Sequence, residues 1–460
     1  MSVVTATQES WDLRSHLRVL ERNGMLVRVD RPVDPATEAS RLMAELERRH
    51  LAGLFTKMGS SATPLAYNLL ADRRMVAMAL GVPAGDVQDA FRRACKHPIA
   101  PEVVPGSAPS QEVVLTGEQA DFRRLPMVVH SAHDNGPYIT AGMVLTNDLR
   151  SGQRNVSFNR ICPVGPLEAG IRMMPPQHLG QIQARAEEDD EDLPVAVAIG
   201  MHPTAVLGAA ASPPLGHDEL AIAGGLRGEP VRLVPGVTVP IDVPAEAEFV
   251  IEGYIRSGVR APEGPFGDFL HYYVPVMDNH RLRVTAITHR TDAIYRTMHA
   301  GSAEDVQILG LSREVDILDA VQRTGAKVTA VRLNPTILGA VVAIEPRFAG
   351  EGKSAAMAAL AAYRWLKYCV VVDPDVDVED PGDVWWAVAT RTALDHDVVV
   401  VPAAGGFPRD EGGMHNARLI IDATAPVGGT ADFLRRVPPG DGRLRLEDFL
   451  SEGRLPAPAG

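Results

Sequence analysis

The stretch FVIEGYIRSGVRAPEGPFGDFLHYY, from Phe249 to Tyr273, begins as one kind of backbone and ends as another. Its first seven residues mix aromatic and β-branched side chains, the composition of a strand half-buried in a sheet. Gly264, Pro265 and Gly267 then interrupt the regular backbone and mark a turn or loop mouth. Two carboxylates, Glu263 and Asp268, flank that turn. Acids in a surface turn ordinarily face water. Held at a fixed separation with partners from elsewhere in the chain, the same pair becomes acid–base machinery.

Runs of the same texture recur from about 111 to 310: EVVLTG (112–117), GMVLTND (142–148), VAVAIGM (195–201) and RLRVTAITHR (281–290). Many short strands separated by Pro- and Gly-rich turns favour a barrel or sandwich over a parallel sheet. Upstream, Leu13, Leu17 and Leu20 recur at helical spacing, and Asn23-Gly24 closes that helix before a strand in MLVRVD. Asp34 reads as the N-cap of a second helix, with Pro35 and Glu38 in its first turn and its end near Arg49. Past 315, strand and helix alternate: KVTAVRL, VVAIEP, an Ala-rich helix from Lys353 to Lys367, then YCVVVD. The runs CVVV and DVVVVP are continuously apolar, as expected of strands buried on both faces. The predicted class is α/β (α+β). A small N-terminal α/β unit (1–110) precedes a β-rich barrel domain (111–310) and a C-terminal α/β domain (311–460), whose end beyond about 436 is a Pro-, Gly- and charge-rich tail.

A chain of 460 residues exceeds one core, and its 45% hydrophobic and 22% charged residues are those of a soluble globular protein. The formal charge of −13 argues against a nucleic-acid partner. The acidic run Glu187–Asp192 reads as a solvated helix end. Cys95, Cys162 and Cys369 are scattered, which excludes a disulfide framework and fits a reducing compartment. No signal-like segment and no run of about 18 apolar residues is present, so the expectation is a cytoplasmic protein with no membrane span.

Three further stretches carry candidate chemistry. In RNVSFNRICPVGP (154–166), Asn155 and Arg160 are five apart, which puts them on opposite faces of a regular strand; a bend is needed to turn both toward one ligand. In MMPPQHLGQI (173–182), Gln177 and His178 follow Pro175-Pro176 at a helix start, where free N–H groups suit an anion. In GHDELAIAGGLRG (216–228), His217, Asp218 and Glu219 are possible ligands or simply a helix start. An amide, an imidazole and a carboxylate suit Mn²⁺ or Mg²⁺ bridging to a phosphate better than a closed zinc site. AGEGKSAAM (349–357) lacks Walker spacing, yet Lys353 near a helix N-terminus can still meet a phosphate. VVVDPDVDVED (370–380) lacks the EF-hand glycine and glutamate and reads as a strand end leading to a helix near Asp383. In TMHAGSAEDVQ (297–307), His299 either lines a substrate pocket or caps the helix after Gly301.

Taken in order, Asn155…Arg160, Gln177-His178, Glu219 and Glu263-Gly-Pro-Phe-Gly-Asp268 resemble the UbiD-like decarboxylases, which use prenylated FMN. LERNGMLVRVDRPVDP (20–35) and DPDVDVEDPGDVWWAVATR (373–391) extend the resemblance over nearly the whole chain. It implies that Asn155, His178 and Glu219 bind Mn²⁺ (or Mg²⁺), with K⁺ as a further ion, and that the metal holds the flavin phosphate. Ser157, Phe158, Asn159, Arg160 and Gln177 would lie against the cofactor. Lys353 is the candidate for the phosphate, with Lys367 its competitor.

Catalysis would fall to Arg160, Glu263 and Asp268, with Asp268 as proton donor in a dry pocket supplied by Phe266 and its apolar neighbours. The family accepts Asp or Glu at that position. The implied fold is a split β-barrel like that of flavin reductases, followed by a C-terminal domain for oligomer contacts in a homodimer or homohexamer. The implied reaction is reversible, non-oxidative decarboxylation of an aromatic, heteroaromatic or α,β-unsaturated acid through a prenylated-FMN adduct. His299 tilts the choice toward an aromatic or heteroaromatic acid. The implied partners are the acid, CO₂ and a flavin prenyltransferase of the UbiX type that supplies the cofactor. The rivals are a flavin reductase-type oxidoreductase using ordinary FMN and a catalytically silent family member.

Overall fold

The computed structural model describes residues 12–333, 336–402, 404, 406–407, 417–429 and 432–436. The tail beyond about 436 lies outside the described residues. Helix α1 (Leu13–Arg22) buries Leu13, Leu17 and Leu20, and Asp12 caps it by accepting the Ser15 N–H at 2.9 Å. Strand β1 (Leu26–Val29) follows. The next turn departs from expectation. Asp34 accepts the N–H groups of Ala36 and Thr37 at 2.7 and 3.1 Å, and the Glu38 carboxylate accepts the Asp34 N–H at 2.9 Å. Yet regular helix α2 (Ala39–Arg48) starts only after that capped turn. Strands β2 (Ala52–Phe55) and β3 (Leu65–Tyr67) and helices α3 (Arg73–Leu80) and α4 (Val87–Lys96) complete the N-terminal unit.

The centre runs through β4 (Glu102–Val103), β5 (Val113–Thr116), β6 (Met143–Asn147), β7 (Arg154–Phe158), β8 (Ile161–Pro163), β9 (Glu168–Ile171), α5 (His178–Glu188) and β10 (Leu193–Ile199). It continues with α6 (Pro203–Ala209), α7 (Glu219–Arg227), β11 (Arg232–Pro235), β12 (Asp242–Pro244), β13 (Phe249–Glu263), β14 (Phe266–Gly267), β15 (Tyr273–Val274), β16 (Met277–His289) and β17 (Tyr295–Arg296). The main sheet has the order β7-β6-β10-β13-β16-β9-β8, with β5 added on β16. Strands β7 and β8 are opposite ends of that order, yet only Asn159 and Arg160 separate them in the chain. Three Cα steps span at most about 11 Å, so the sheet must curl until its ends approach. This is the split barrel. Every residue of β10 is buried: Ala196 and Ala198 join one core with helices α6 and α7, while Val195, Val197 and Ile199 join another. The alternation is the period-2 geometry of a strand with both faces covered. The N-terminal sheet, β1-β2-β3-β17, closes on the centre through β17.

Helix α8 (Ala303–Arg323) leads to β18 (Lys327–Leu333), β19 (Gly339–Glu345), α9 (Glu351–Ala362), β20 (Tyr368–Val372), α10 (Pro381–Arg391), β21 (Val398–Val401) and β22 (Arg418–Ala423). The C-terminal sheet has the order β18-β19-β20-β22-β21. Two expectations are corrected here. The Ala-rich helix spans Glu351 to Ala362, ending early because Tyr363 adopts extended backbone. DVVVVP is not buried on both faces: β21 pairs only with β22 at the end of the sheet order, and Val400 is 61% exposed. CVVV, in the sheet interior, is buried as expected. The acids of VVVDPDVDVED serve as counter-charges: Arg391 at the end of α10 meets Asp373 at 2.6 Å and Asp375 at 2.7 Å.

The first turn of α8 generates a prediction. Asp305 is buried and accepts the Gly301 N–H at 2.8 Å. Burial, with the charge of Glu304 adding to it, pushes its carboxyl up to about 7. A carboxyl raised in the fold contributes stability that is full below its ordinary value of about 3.9 and is lost as pH rises through about 7. Asp305→Asn keeps an acceptor for Gly301 but cannot ionise. Thermal melts from about pH 4 to pH 8 should show the variant gaining on the wild type as pH rises; a pH-independent difference would contradict the argument.

Candidate active site

The joint between β7 and β8 brings the first candidates together. Asn155, on β7, is buried, and its Nδ2 has no hydrogen-bond partner among the described residues. The next residue, Val156, donates its N–H to Glu219 Oε2 at 2.9 Å. Glu219 opens α7 and is buried, and its Oε1 lies 3.9 Å from Nδ1 of His178, the first residue of α5. Two helix starts and a strand therefore converge. Burial pushes the Glu219 carboxyl up to about 7 and pushes the His178 imidazole below its usual value. Both groups are short of compensating charge. Among the described residues no group of three His, Cys, Asp or Glu side chains could hold a metal ion; Asn155, next to Val156 on β7, is the amide beside this pair.

A cavity of about 170 Å³ opens beside Asn155, with Arg154, Arg185 and His217 in its lining. His217 is exposed, with Nδ1 3.1 Å from the Pro214 carbonyl. Asp218 accepts the Leu220 N–H at 2.9 Å and Arg154 at 2.6 Å. These two side chains are engaged in capping and pairing. Ser157 donates to Asn159 Oδ1 at 2.8 Å, and Asn159 Nδ2 donates to the Arg172 carbonyl at 2.8 Å, which pins the joint itself. Phe158 packs on the α6–α7 core. Gln177 is the N-cap residue of α5; it is exposed, and its Oε1 accepts the Met174 N–H at 3.3 Å.

The second group centres on Glu263, at the end of β13 and 1% exposed. Arg160 Nη2 donates to its Oε2 at 3.1 Å. The bend required to turn Arg160 toward a shared site is the β7–β8 joint. Tyr138 O–H donates to Oε1 at 2.6 Å, and Asn279 Nδ2 donates to Oε2. Gly170 leaves the room that Glu263 fills, since a Cβ there would lie 2.8 Å from Glu263 Cγ. The Arg160 guanidinium stacks 4.7 Å from the Phe266 ring centroid, and its Nε is buried with no partner among the described residues. The apolar packing expected around Asp268 thus falls on the Arg160–Glu263 side.

Asp268, between β14 and β15, is half-buried; its Oδ1 accepts the Leu270 N–H at 3.0 Å and its own N–H donates to Tyr272 O at 2.9 Å. Phe269, the next residue, stacks on Trp365 of the C-terminal domain.

Two candidates sit in other company. Lys353 Nζ is 3.3 Å from Asp397, an ion pair within the C-terminal domain. His299 Nδ1 is 2.9 Å from Glu47 Oε1, and its Nε2 is 3.3 Å from Ser40 Oγ, both on α2. The cap of α8 is Ser302 rather than His299. Sequence reasoning passed over Tyr138, Arg172 and Asn279. One signal for Asn279 existed: β13 and β16 pair with Glu263 opposite Met277, which puts Glu263 and Asn279 on one face as diagonal neighbours.

Comparison with known proteins agrees with this layout. Residues 17–94, 102–303 and 306–423 match the N-terminal, Rift-related and C-terminal domains of the 3-octaprenyl-4-hydroxybenzoate carboxy-lyase family, UbiD. The chain is 33% identical to the anhydromevalonate phosphate decarboxylase of Methanosarcina mazei over 438 residues, covering 93% of this chain and 99% of the relative. Its fold is similar to that of the UbiD-class enzyme HmfF from Pelotomaculum thermopropionicum in complex with FMN (TM-score 0.91, 37% identity, 95% and 100% of the two chains). An evolved dimeric form of HmfF, in complex with prFMN, gives 0.89 and 36%, covering 96% of this chain and 100% of the other. The apo 3,4-dihydroxybenzoic acid decarboxylase of Enterobacter cloacae gives 0.87 at 28% identity, covering 96% and 99%. The chain belongs to the UbiD family of flavin-binding carboxy-lyases.

Proposed function

We propose that this chain removes CO₂ reversibly from a conjugated carboxylic acid, aromatic, heteroaromatic or α,β-unsaturated, with prenylated FMN as cofactor. The observation that carries the reading is the pairing of part-buried Arg160 with buried Glu263 at 3.1 Å beside the Asp268 turn. A flavin reductase using ordinary FMN has no use for an arginine held by a buried glutamate at this position, and a silent relative has no reason to keep it.

Asn155, His178 and Glu219 would hold Mn²⁺ or Mg²⁺ against the flavin phosphate. Their donor set fits such an ion: the Asn155 amide can offer its oxygen, and burial has left the Glu219 carboxyl and the His178 imidazole without a compensating charge. Bound prenylated FMN supplies the electron sink for the pair released as CO₂ departs. The residues of the chain do the rest. Arg160 attracts the substrate carboxylate with its guanidinium, Glu263 fixes that guanidinium, and Asp268 delivers the proton to the carbon left behind.

The aromatic preference loses support, because the imidazole that suggested it is occupied by Glu47 and Ser40. Similarity to the decarboxylase named for anhydromevalonate phosphate favours a second reading, a non-aromatic phosphorylated acid. Assaying the holoenzyme on hydroxybenzoic, furoic and cinnamic acids and on anhydromevalonate phosphate separates the two.

Asp268→Asn should lose about 10²- to 10⁴-fold in turnover, the usual worth of a general acid, with the flavin still visible in the absorption spectrum. Near wild-type turnover with flavin bound would remove Asp268 from the chemistry. Glu219→Ala should lower both metal content, read by elemental analysis, and flavin retention; unchanged metal would refute the ligand assignment. Protein made without a flavin prenyltransferase should be inactive, and full activity on ordinary FMN would favour the reductase.

A further inference from the structure

Glu263 is held by more than its arginine. Its two oxygens accept hydrogen bonds from Tyr138, Arg160 and Asn279, which come from three separate parts of the chain. Tyr138 is fully buried, and its ring packs with Cys162 and Phe266 in a small apolar cluster, 4.5 Å from the Phe266 centroid. It is placed there by two isolated bridges, Val128 to Tyr138 and Ile139 to Ile161, which pin this segment beside the β7–β8 joint. Burial and the hydrogen bond to Glu263 hold its hydroxyl far above the usual tyrosine range, so it remains an O–H donor. Asn279 is equally buried, and its Oδ1 accepts from Arg172 Nη1 at 3.1 Å, which fixes which way the amide faces.

We infer that Tyr138 and Asn279 are positioning residues of the reaction: together they lock the Glu263 carboxylate in the one orientation that aims Arg160. This rests on the reading of Arg160 and Glu263 given above. The physical reason is that a carboxylate bonded only to one arginine nitrogen can rotate about its last two bonds. Donors on both oxygens remove that freedom, and in a dry site each is costly to lose. Neither residue touches the reacting atoms; both act through Glu263.

The test is a pair of double-mutant cycles on holoenzyme produced with a flavin prenyltransferase. Tyr138→Phe and Asn279→Ala are each made alone and in a Glu263→Gln background, with kcat, KM and melting temperature measured for every protein. In the native background each should lower kcat by about 10- to 100-fold, the equivalent of a hydrogen bond to a charged group, with a much smaller change in KM. In the Glu263→Gln background the same changes should cost less than about twofold, because the carboxylate charge through which they aim Arg160 is gone. Losses of equal size in both backgrounds, or no loss in either, would overturn the inference. Should the wild type turn over none of the acids tested, the reading of function fails separately. The melting-temperature cycle then decides alone: non-additivity supports the clamp and additivity overturns it.

Discussion

Two residues, Asn159 and Arg160, join the opposite ends of a seven-strand path, and the architecture depends on that short joint. A longer loop would let the sheet stay open. So short a link forces β7 and β8 together, curls the sheet into a split barrel, and leaves Arg160 at the seam. The joint is itself fixed, since Asn159 spends its amide on Ser157 and on the Arg172 carbonyl. The bend also resolves the odd spacing of Asn155 and Arg160. One lies on a regular strand and the other just beyond its end, so they serve neighbouring groups without sharing a strand face.

The two groups differ in electrostatic character. Around Glu263 the charge is compensated: a guanidinium and two neutral donors saturate a buried carboxylate. Around Glu219 it is not, and burial drives the carboxyl and the imidazole of His178 toward their neutral forms. A protein interior tolerates the first arrangement on its own. The second has no such partner among the described residues, and on the function proposed above a cation would complete it.

Other charged stretches that draw the eye in the sequence have structural work. Arg391 consumes Asp373 and Asp375. Arg296 and Glu304, both almost fully buried, pair at 2.8 Å where β17 meets the start of α8. Lys353 pairs with Asp397. The C-terminal domain nevertheless reaches the centre, through the stacking of Trp365 on Phe269 immediately after Asp268.

The sequence alone determined a good deal. Local composition located the β-rich centre and the alternating C-terminal domain, because strand and helix periodicity are properties of contiguous residues. Ordered motifs singled out Asn155, His178, Glu219, Arg160 and Glu263, and the structure brings the first three to one place and the last two to another. What depends on contacts between distant segments could not be read. Whether a valine run is buried is decided by its place in the sheet, so CVVV and DVVVVP, alike in composition, differ in exposure. Tyr138 lies 125 residues from Glu263 in the chain, and nothing in its neighbours marks it. Lys353 and His299 have suitable chemistry, but tertiary packing gave each a different carboxylate. Short-range pattern fixes which elements form; only the curled sheet decides which side chains share a carboxylate, because that depends on distances the chain sets across its fold.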